Sequence, residues 1–378
     1  RKNCLLLNNV FLMTAALFAV SSRASRSFEM ILISRFLVGI SAGVSMNVQP
    51  MYFGESAPKH LRGAISLSSA VFTAFGVVLG QVVGLREILG SEQCWQYLLA
   101  SNAIPGLIQL VTLPWFPESP RYLLIDRGDK EACIKALRRL QGCSVQSCEL
   151  DDILQEQAET KGLKPQTPWQ LFTERAVRWQ LVSIVITSSA MQLCGNDSIY
   201  FYASYVFKES GIPADKIQYV TIGTGACEFT ACIVCSFLIE RIGRKKLMGY
   251  GYLTMGVTMT VLTVTLSLKH LNSWIPYLNI ALIFCVICVY GLGPCGVSMA
   301  LSADLFLQAW RPSAYVISGT INWLSMFMVG MLFGYVVDDL GPFCFLIFVA
   351  YTISSGAFLL GFVPETKGRT MVEITQDF

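Results

Sequence analysis

Gln192, Asn196 and Asp197 stand near the middle of an apolar run from about Leu181 to Phe207. A run of that length crosses a bilayer as a helix. A carboxylate at that depth costs at least about 2.5–3.5 kcal/mol against lipid, so Asp197 is expected to face a polar cavity or a partner. Gly195 lies among these residues and lets a helix bend or lets another group come close. A second acid, Glu228, falls inside the next apolar run, and Gln81, Asn322 and Trp323 fall inside others. Amides, carboxyls and an indole are hydrogen-bonding groups with an aromatic platform, suited to reversible binding of a hydrogen-bonding solute. Any one of them alone reads as an interhelix hydrogen bond, and the set reads as a pocket. The two histidines, His60 and His270, lie in loops without a partner that would suggest catalysis. No His, Cys or metal cluster converges on the apolar runs, so the expectation is a protein that is not an enzyme and needs no cofactor or metal.

The elements that must position these groups are membrane helices. The 378 residues are 53% hydrophobic and 14% charged, against roughly 25% charged in soluble domains. Ten spans, each nearly free of charge, are expected at about 3–22, 30–53, 64–85, 95–116, 181–206, 217–239, 247–268, 274–303, 313–337 and 341–363. Gly291-Leu-Gly-Pro294 and Pro312 are helix breakers placed to let half-helices bend. Most of the 13 cysteines lie in these runs and read as small packing residues, and Cys143 and Cys148 lack a second pair at zinc spacing. A net charge of +3 without a basic patch gives no argument for nucleic acid.

Residues 118–180 hold 20 of the chain's charged side chains, which number 28 Lys and Arg and 25 Asp and Glu. They read as a soluble helical linker. One helix is expected from Asp129 as its cap, with apolar positions Ala132, Ala136, Leu137 and Leu140. Another is expected over Glu149–Glu159, and a third from Pro168 through Trp179. With Arg1-Lys2 cytoplasmic, the short loops on that side carry eleven Lys and Arg against six opposite, and the linker adds ten. The expected organisation is a four-span bundle over 1–117, a cytoplasmic linker over 118–180, a six-helix bundle over 181–363 and the start of a cytoplasmic tail over 364–378.

Charged signatures recur. Glu55 precedes Arg62 by seven residues, and Asp304 precedes Arg311 by seven. Pro117-Glu118-Ser119 matches Pro364-Glu365-Thr366, and Arg1-Lys2 matches Arg244-Lys245. The offsets of 249, 247 and 243 residues mean two copies of one unit. The second copy has six spans and the first four, so two helices are expected to precede Arg1 in the complete protein.

Four stretches carry a resemblance. Pro50-Met-Tyr-Phe-Gly-Glu-Ser-Ala-Pro-Lys-His-Leu-Arg-Gly63, Pro117-Glu-Ser-Pro-Arg-Tyr122, Glu240-Arg-Ile-Gly-Arg-Lys-Lys246 and Pro364-Glu-Thr-Lys-Gly368 resemble the sugar-porter signatures of the major facilitator superfamily. The chain is similar over its whole length to the facilitative hexose transporters, in the fructose-transporter-like class. The resemblance implies an all-α membrane protein with the major facilitator fold, two six-helix bundles in the full protein, of which ten of the twelve transmembrane helices are present here. It implies transport of glucose or fructose by alternating access at the plasma membrane, with sugar and lipid as partners. Gln81 and Gln192 match family glutamines that bond sugar hydroxyls, and Asn322-Trp323 matches a pair that lines the cavity. Glu55, Glu118, Glu240 and Asp304 lie on one membrane face with Arg62, Arg121, Arg244 and Arg311. Such charges at helix ends can form a cytoplasmic gate, each exposed pair contributing about 0.2–1 kcal/mol.

The chain departs from the family pattern at Asp197 and Glu228, where asparagine is common, and at Met191, Met299 and Met326. These positions leave the choice between glucose and fructose open. Three other readings stay open with it: a proton-coupled sugar symporter using Asp197 or Glu228, a carrier of a polyol or urate-like solute, and a transporter-like sugar sensor.

Overall fold

The computed structural model describes residues 1–378 except 58–61, 142–149, 151–152, 155–166, 202–204, 206, 209–210, 269–270, 307–309 and 368–378. Some further side chains within helices, Arg62, Glu240, Met299, Asp304 and Arg311 among them, also fall outside the description. The second linker helix expected over Glu149–Glu159 lies mostly outside the described residues.

The described residues contain helices and no strands. The apolar runs become α1 (Lys2–Ala24), α2 (Phe28–Ser56), α3 (Arg62–Val83) and the pair α4 (Trp95–Ala100) and α5 (Ala103–Thr112), which a 3-10 turn extends over Leu113–Trp115. After the linker come α8 (Arg178–Leu193) with α9 (Asn196–Phe201), α10 (Ile217–Ile242), α11 (Arg244–Ser267), α12 (Ile275–Leu292) with α13 (Pro294–Asp304), α14 (Arg311–Leu340) and α15 (Phe345–Phe362). In their described residues all ten expected spans are mainly helical. Seven segments of the described residues are long and apolar enough to cross a membrane. The difference from ten has three local causes. α14 and α15 run on as one apolar segment, Pro312–Phe362, and the apolar part of α3, Ser68–Val83, is short. The span carrying Asp197 is cut into α8 and α9 at Gly195, whose φ of +85° no other residue adopts without strain.

The two proline sites behave differently. Gly293-Pro294 splits the expected 274–303 span into α12 and α13, as the helix-breaking pattern implies. Pro312 does not bend a helix: it sits in the first turn of α14, where its missing N–H would have had no partner.

The linker opens with a π-turn at Tyr122–Asp126 and continues as α6 (Lys130–Gln141). Asp129 Oδ1 accepts the Ala132 N–H at 2.9 Å, the expected cap. Cys133, Ala136 and Leu137 of α6 bury against Leu123, Leu124 and Ile153. The third linker helix is shorter than expected. α7 (Pro168–Thr173) starts at a capping box in which the Thr167 N–H reaches Gln170 Oε1 at 2.7 Å. It stops at Glu174, whose ψ of 118° is extended, and a 3-10 turn then leads into α8 at Arg178.

The chain divides into two compact units: 1–66 with 83–164, and 67–82 with 165–378. In the first, α1 packs on α2, α4 and α5. Asn8 Nδ2 on α1 donates to Ser41 O at 3.0 Å and Ser45 Oγ at 2.9 Å on α2. In the second, α11 packs between α12 and α15, and α8 packs against α14. Its centre is Met248, Tyr252, Met255, Met259 and Leu262 of α11 against Ile283, Val286 and Ile287 of α12, all fully buried. Large apolar side chains such as Phe237, Tyr277 and Tyr335 stay exposed on the outside, the surface expected of a body solvated by lipid.

Candidate functional site

The polar patch of the second unit grows from α8. That helix places Ser188, Ser189 and Gln192 on the faces it turns to its neighbours. Ser188 Oγ and Ser318 Oγ on α14 lie 2.7 Å apart, and Ser189 Oγ lies 2.5 Å from Tyr351 Oη on α15. One turn further, the buried Gln192 donates from Nε2 to Asn322 Oδ1 on α14 at 2.8 Å. The bond places the side chains of Gln192 and Asn322 in contact. Trp323, the next residue, points to another face of α14 and is 39% exposed.

Past Gly195 the chain restarts as α9. Asp197 and Tyr200 are three residues apart, so they share one face of that helix. Tyr200 Oη donates to Glu228 Oε2 on α10, which ties α9 to α10. Asp197 lies within electrostatic reach of Glu228. A tyrosine that the sequence reading did not single out thus links the helix of Asp197 to Glu228. Its signal was available in the i to i+3 spacing from Asp197.

Several buried oxygens on these helices lack a hydrogen-bond donor. They include Gln192 Oε1, Asn196 Oδ1, Asp197 Oδ2 and, on α3, Gln81 Oε1. Each is an acceptor in surroundings where an unmade hydrogen bond costs about 1–3 kcal/mol. What such a set can receive is O–H or N–H groups brought by another molecule.

The candidate gate residues sort by what each touches. In the first unit, Arg1 forms an ion pair with Glu55 at 3.1 Å, and Ser119 Oγ donates to Glu55 Oε2 at 2.6 Å. Glu118 Oε1 accepts the backbone N–H of Lys2 at 2.8 Å and that of Ser119 at 3.1 Å. Burial pushes the Glu118 carboxyl up, the Lys2 and Ser119 N–H groups pull it down, and it lies below the usual range. The Arg1 guanidinium stacks over the Tyr122 ring, 5.5 Å from its centroid, beside Arg121. In the second unit, Arg244 at the start of α11 donates its backbone N–H to Glu365 Oε1 at 2.8 Å. Lys367 Nζ reaches Arg241 O at 2.8 Å. The side chains of Arg62, Glu240, Asp304 and Arg311 fall outside the description. Arg1, Ser119 and Glu365 were not among the expected gate residues; the recurring Pro-Glu-Ser and Pro-Glu-Thr signatures were the signal that could have found the last two.

Among known proteins, the family described as "Sugar (and other) transporter" matches residues 1–378. The facilitated glucose transporter member 11 of Homo sapiens is 48% identical over 377 residues, covering 100% of this chain and 76% of that protein. Member 5 of Mus musculus is 41% identical over 378 residues, covering 100% and 75%. Member 9 of Homo sapiens is 39% identical, covering 100% and 70%. Among solved structures, the major facilitator superfamily proton:xylose symporter XylE bound to 6-bromo-6-deoxy-D-glucose superposes with a TM-score of 0.80. It is 22% identical, and the match covers 100% of this chain and 82% of that one. The partially occluded inward-open xylose transporter XylE from E. coli gives a TM-score of 0.79 at 23% identity over 98% and 82%. These likenesses show the fold.

Proposed function

Because the chain belongs to the sugar (and other) transporter family and is an integral membrane protein built of apolar helices, we propose that it carries a hexose, glucose or fructose, down its gradient by alternating access. The observation that carries the reading is the buried acceptors without donors, Gln192 Oε1, Asn196 Oδ1, Asp197 Oδ2 and Gln81 Oε1, together with the Gln192–Asn322 bond. A hexose is ringed by hydroxyl donors and fits that set; an organic anion, which brings acceptors and a negative charge towards Asp197 and Glu228, does not. Gln81, Gln192, Asp197, Glu228, Asn322 and Trp323 form the substrate site in this reading. Glu55, Glu118, Arg121, Arg244 and their counterparts Arg62, Glu240, Asp304 and Arg311 bias the cytoplasmic gate. A small bias is what interconversion of two states needs. No covalent step occurs, and the setting is the plasma membrane.

The test is uptake of labelled glucose and fructose into proteoliposomes by the wild type and Gln192→Ala. Saturable uptake without a pH gradient, reduced in the variant, is the expected result. Absence of uptake of both sugars overturns the reading. A second reading, proton-coupled transport, is favoured by the bond from Tyr200, which shares a helix with Asp197, to Glu228. It requires that sugar uptake acidify the vesicle interior, where the uniporter leaves it unchanged.

A further inference from the structure

Helices α3 and α10 approach each other closely within the second unit. The Phe75 and Phe229 rings lie 5.6 Å apart between centroids. One turn along, Gly225 faces Val78 and Gln81. A Cβ placed on Gly225 would stand 2.2 Å from Gln81 Oε1, 3.1 Å from Gln81 Cδ and 3.3 Å from Val78 Cγ2. The Gln81 amide oxygen therefore occupies the space that any side chain at 225 would need. That oxygen is buried and has no hydrogen-bond donor.

From this contact we infer that Gly225 is a positioning residue for solute recognition: its missing side chain sets where the Gln81 amide sits. The inference rests on the proposed role of Gln81 in the substrate site. Alanine at 225 meets the far end of a side chain with three rotatable bonds, so the amide swings aside while the helices stay. Within a helix, alanine is also favoured over glycine by about 0.8–1 kcal/mol, so a purely structural role would leave the variant as stable as the wild type or more so, with unchanged recognition. The predicted consequence is the opposite pattern: an intact fold and a displaced amide.

The experiment measures KM for fructose and glucose in proteoliposomes, with melting temperature in detergent as the control of folding. Gly225→Ala is expected to raise KM about tenfold, the scale of one misdirected hydrogen bond, with no loss of melting temperature. Gln81→Ala is expected to raise KM at least as much, and Gly225→Ala added to it to change nothing further. In the Gly225→Ala background, Gln81→Asn shortens the side chain by one methylene and is expected to recover part of the affinity. A wild-type KM in Gly225→Ala, or an equal increase with and without Gln81, overturns the role of Gly225 while leaving the transporter reading intact. A wild-type KM in Gln81→Ala removes Gln81 from the site and this inference with it. Failure of the wild type to take up either sugar overturns both readings together.

Discussion

Glu365 Oε1 accepts the backbone N–H of Arg244 at 2.8 Å, and the first unit repeats the relationship, with Glu118 Oε1 accepting the N–H of Lys2 at 2.8 Å. In both places the glutamate of a Pro-Glu-Ser or Pro-Glu-Thr signature reaches back to the first turn of a helix more than a hundred residues earlier. A helix start presents N–H groups without intrahelical partners and a partial positive charge, and a carboxylate answers both. The two copies inferred from the spacing of charges thus share a structural function, each closing one unit by capping its own helix.

Glu365→Ala removes that cap. The expected cost is about 0.5–2 kcal/mol, read as a lower melting temperature in detergent. Gly243→Ala should cost at least as much. Its φ of +95° strains any other residue, and a Cβ there would stand 2.7 Å from Glu365 Oε2. Wild-type melting of both variants would remove the cap from the account of stability.

Glu118 gives a pH dependence with a defined sign. Its folded-state pKa lies below the ordinary carboxylate value, so the stability it contributes is fully present above the unfolded pKa of about 4.3 and is lost as pH falls through the folded value. Glu118→Gln should melt lower than wild type at pH 7, and the gap should close as the pH is brought below about 4. A gap that stays constant from pH 7 down to pH 3 contradicts the assignment.

Tyr200 and Glu228 make a third case. Tyr200→Phe leaves a buried carboxyl oxygen without its donor, and the expected loss is about 1–3 kcal/mol of stability. Glu228→Gln keeps an acceptor for the Tyr200 hydroxyl and should cost less. If Tyr200→Phe is the milder of the two in thermal unfolding, the bond from Tyr200 to Glu228 is not what holds α9 to α10.

How far these contacts were legible in the sequence depends on what fixes them. The spans are set by runs of apolar residues, which bilayer thickness alone makes readable, and the Gly195 break and the Asp129 cap follow from single residue types. The helix-end contacts are set by tertiary placement. Glu55 pairs with Arg1, 54 residues away, through a contact no local spacing encodes. The bonds at Glu118 and Glu365 are donated by backbone N–H groups, which every sequence has and none announces. Pro312 misled for a related reason: proline signals a bend or a start, and only the position of the preceding loop decides which.

The Gln192–Asn322 bond separates a structural role from a binding role. If the two amides merely tie α8 to α14, either alanine substitution breaks the same bond, and the double variant loses no more stability than the worse single one. If they also meet solute, Gln192 has a group of its own to offer, since its Oε1 is free of the bond its Nε2 makes. The expected result is therefore a split. In melting temperature the pair should be strongly non-additive, with an interaction energy of about 0.5–3 kcal/mol. In KM for the transported hexose, Gln192→Ala and Asn322→Ala should each raise the value, and the double variant should exceed both. A double variant whose KM equals that of the worse single variant would reduce the pair to a helix tie, and the substrate contacts would then have to be sought at Gln81 and around Asp197.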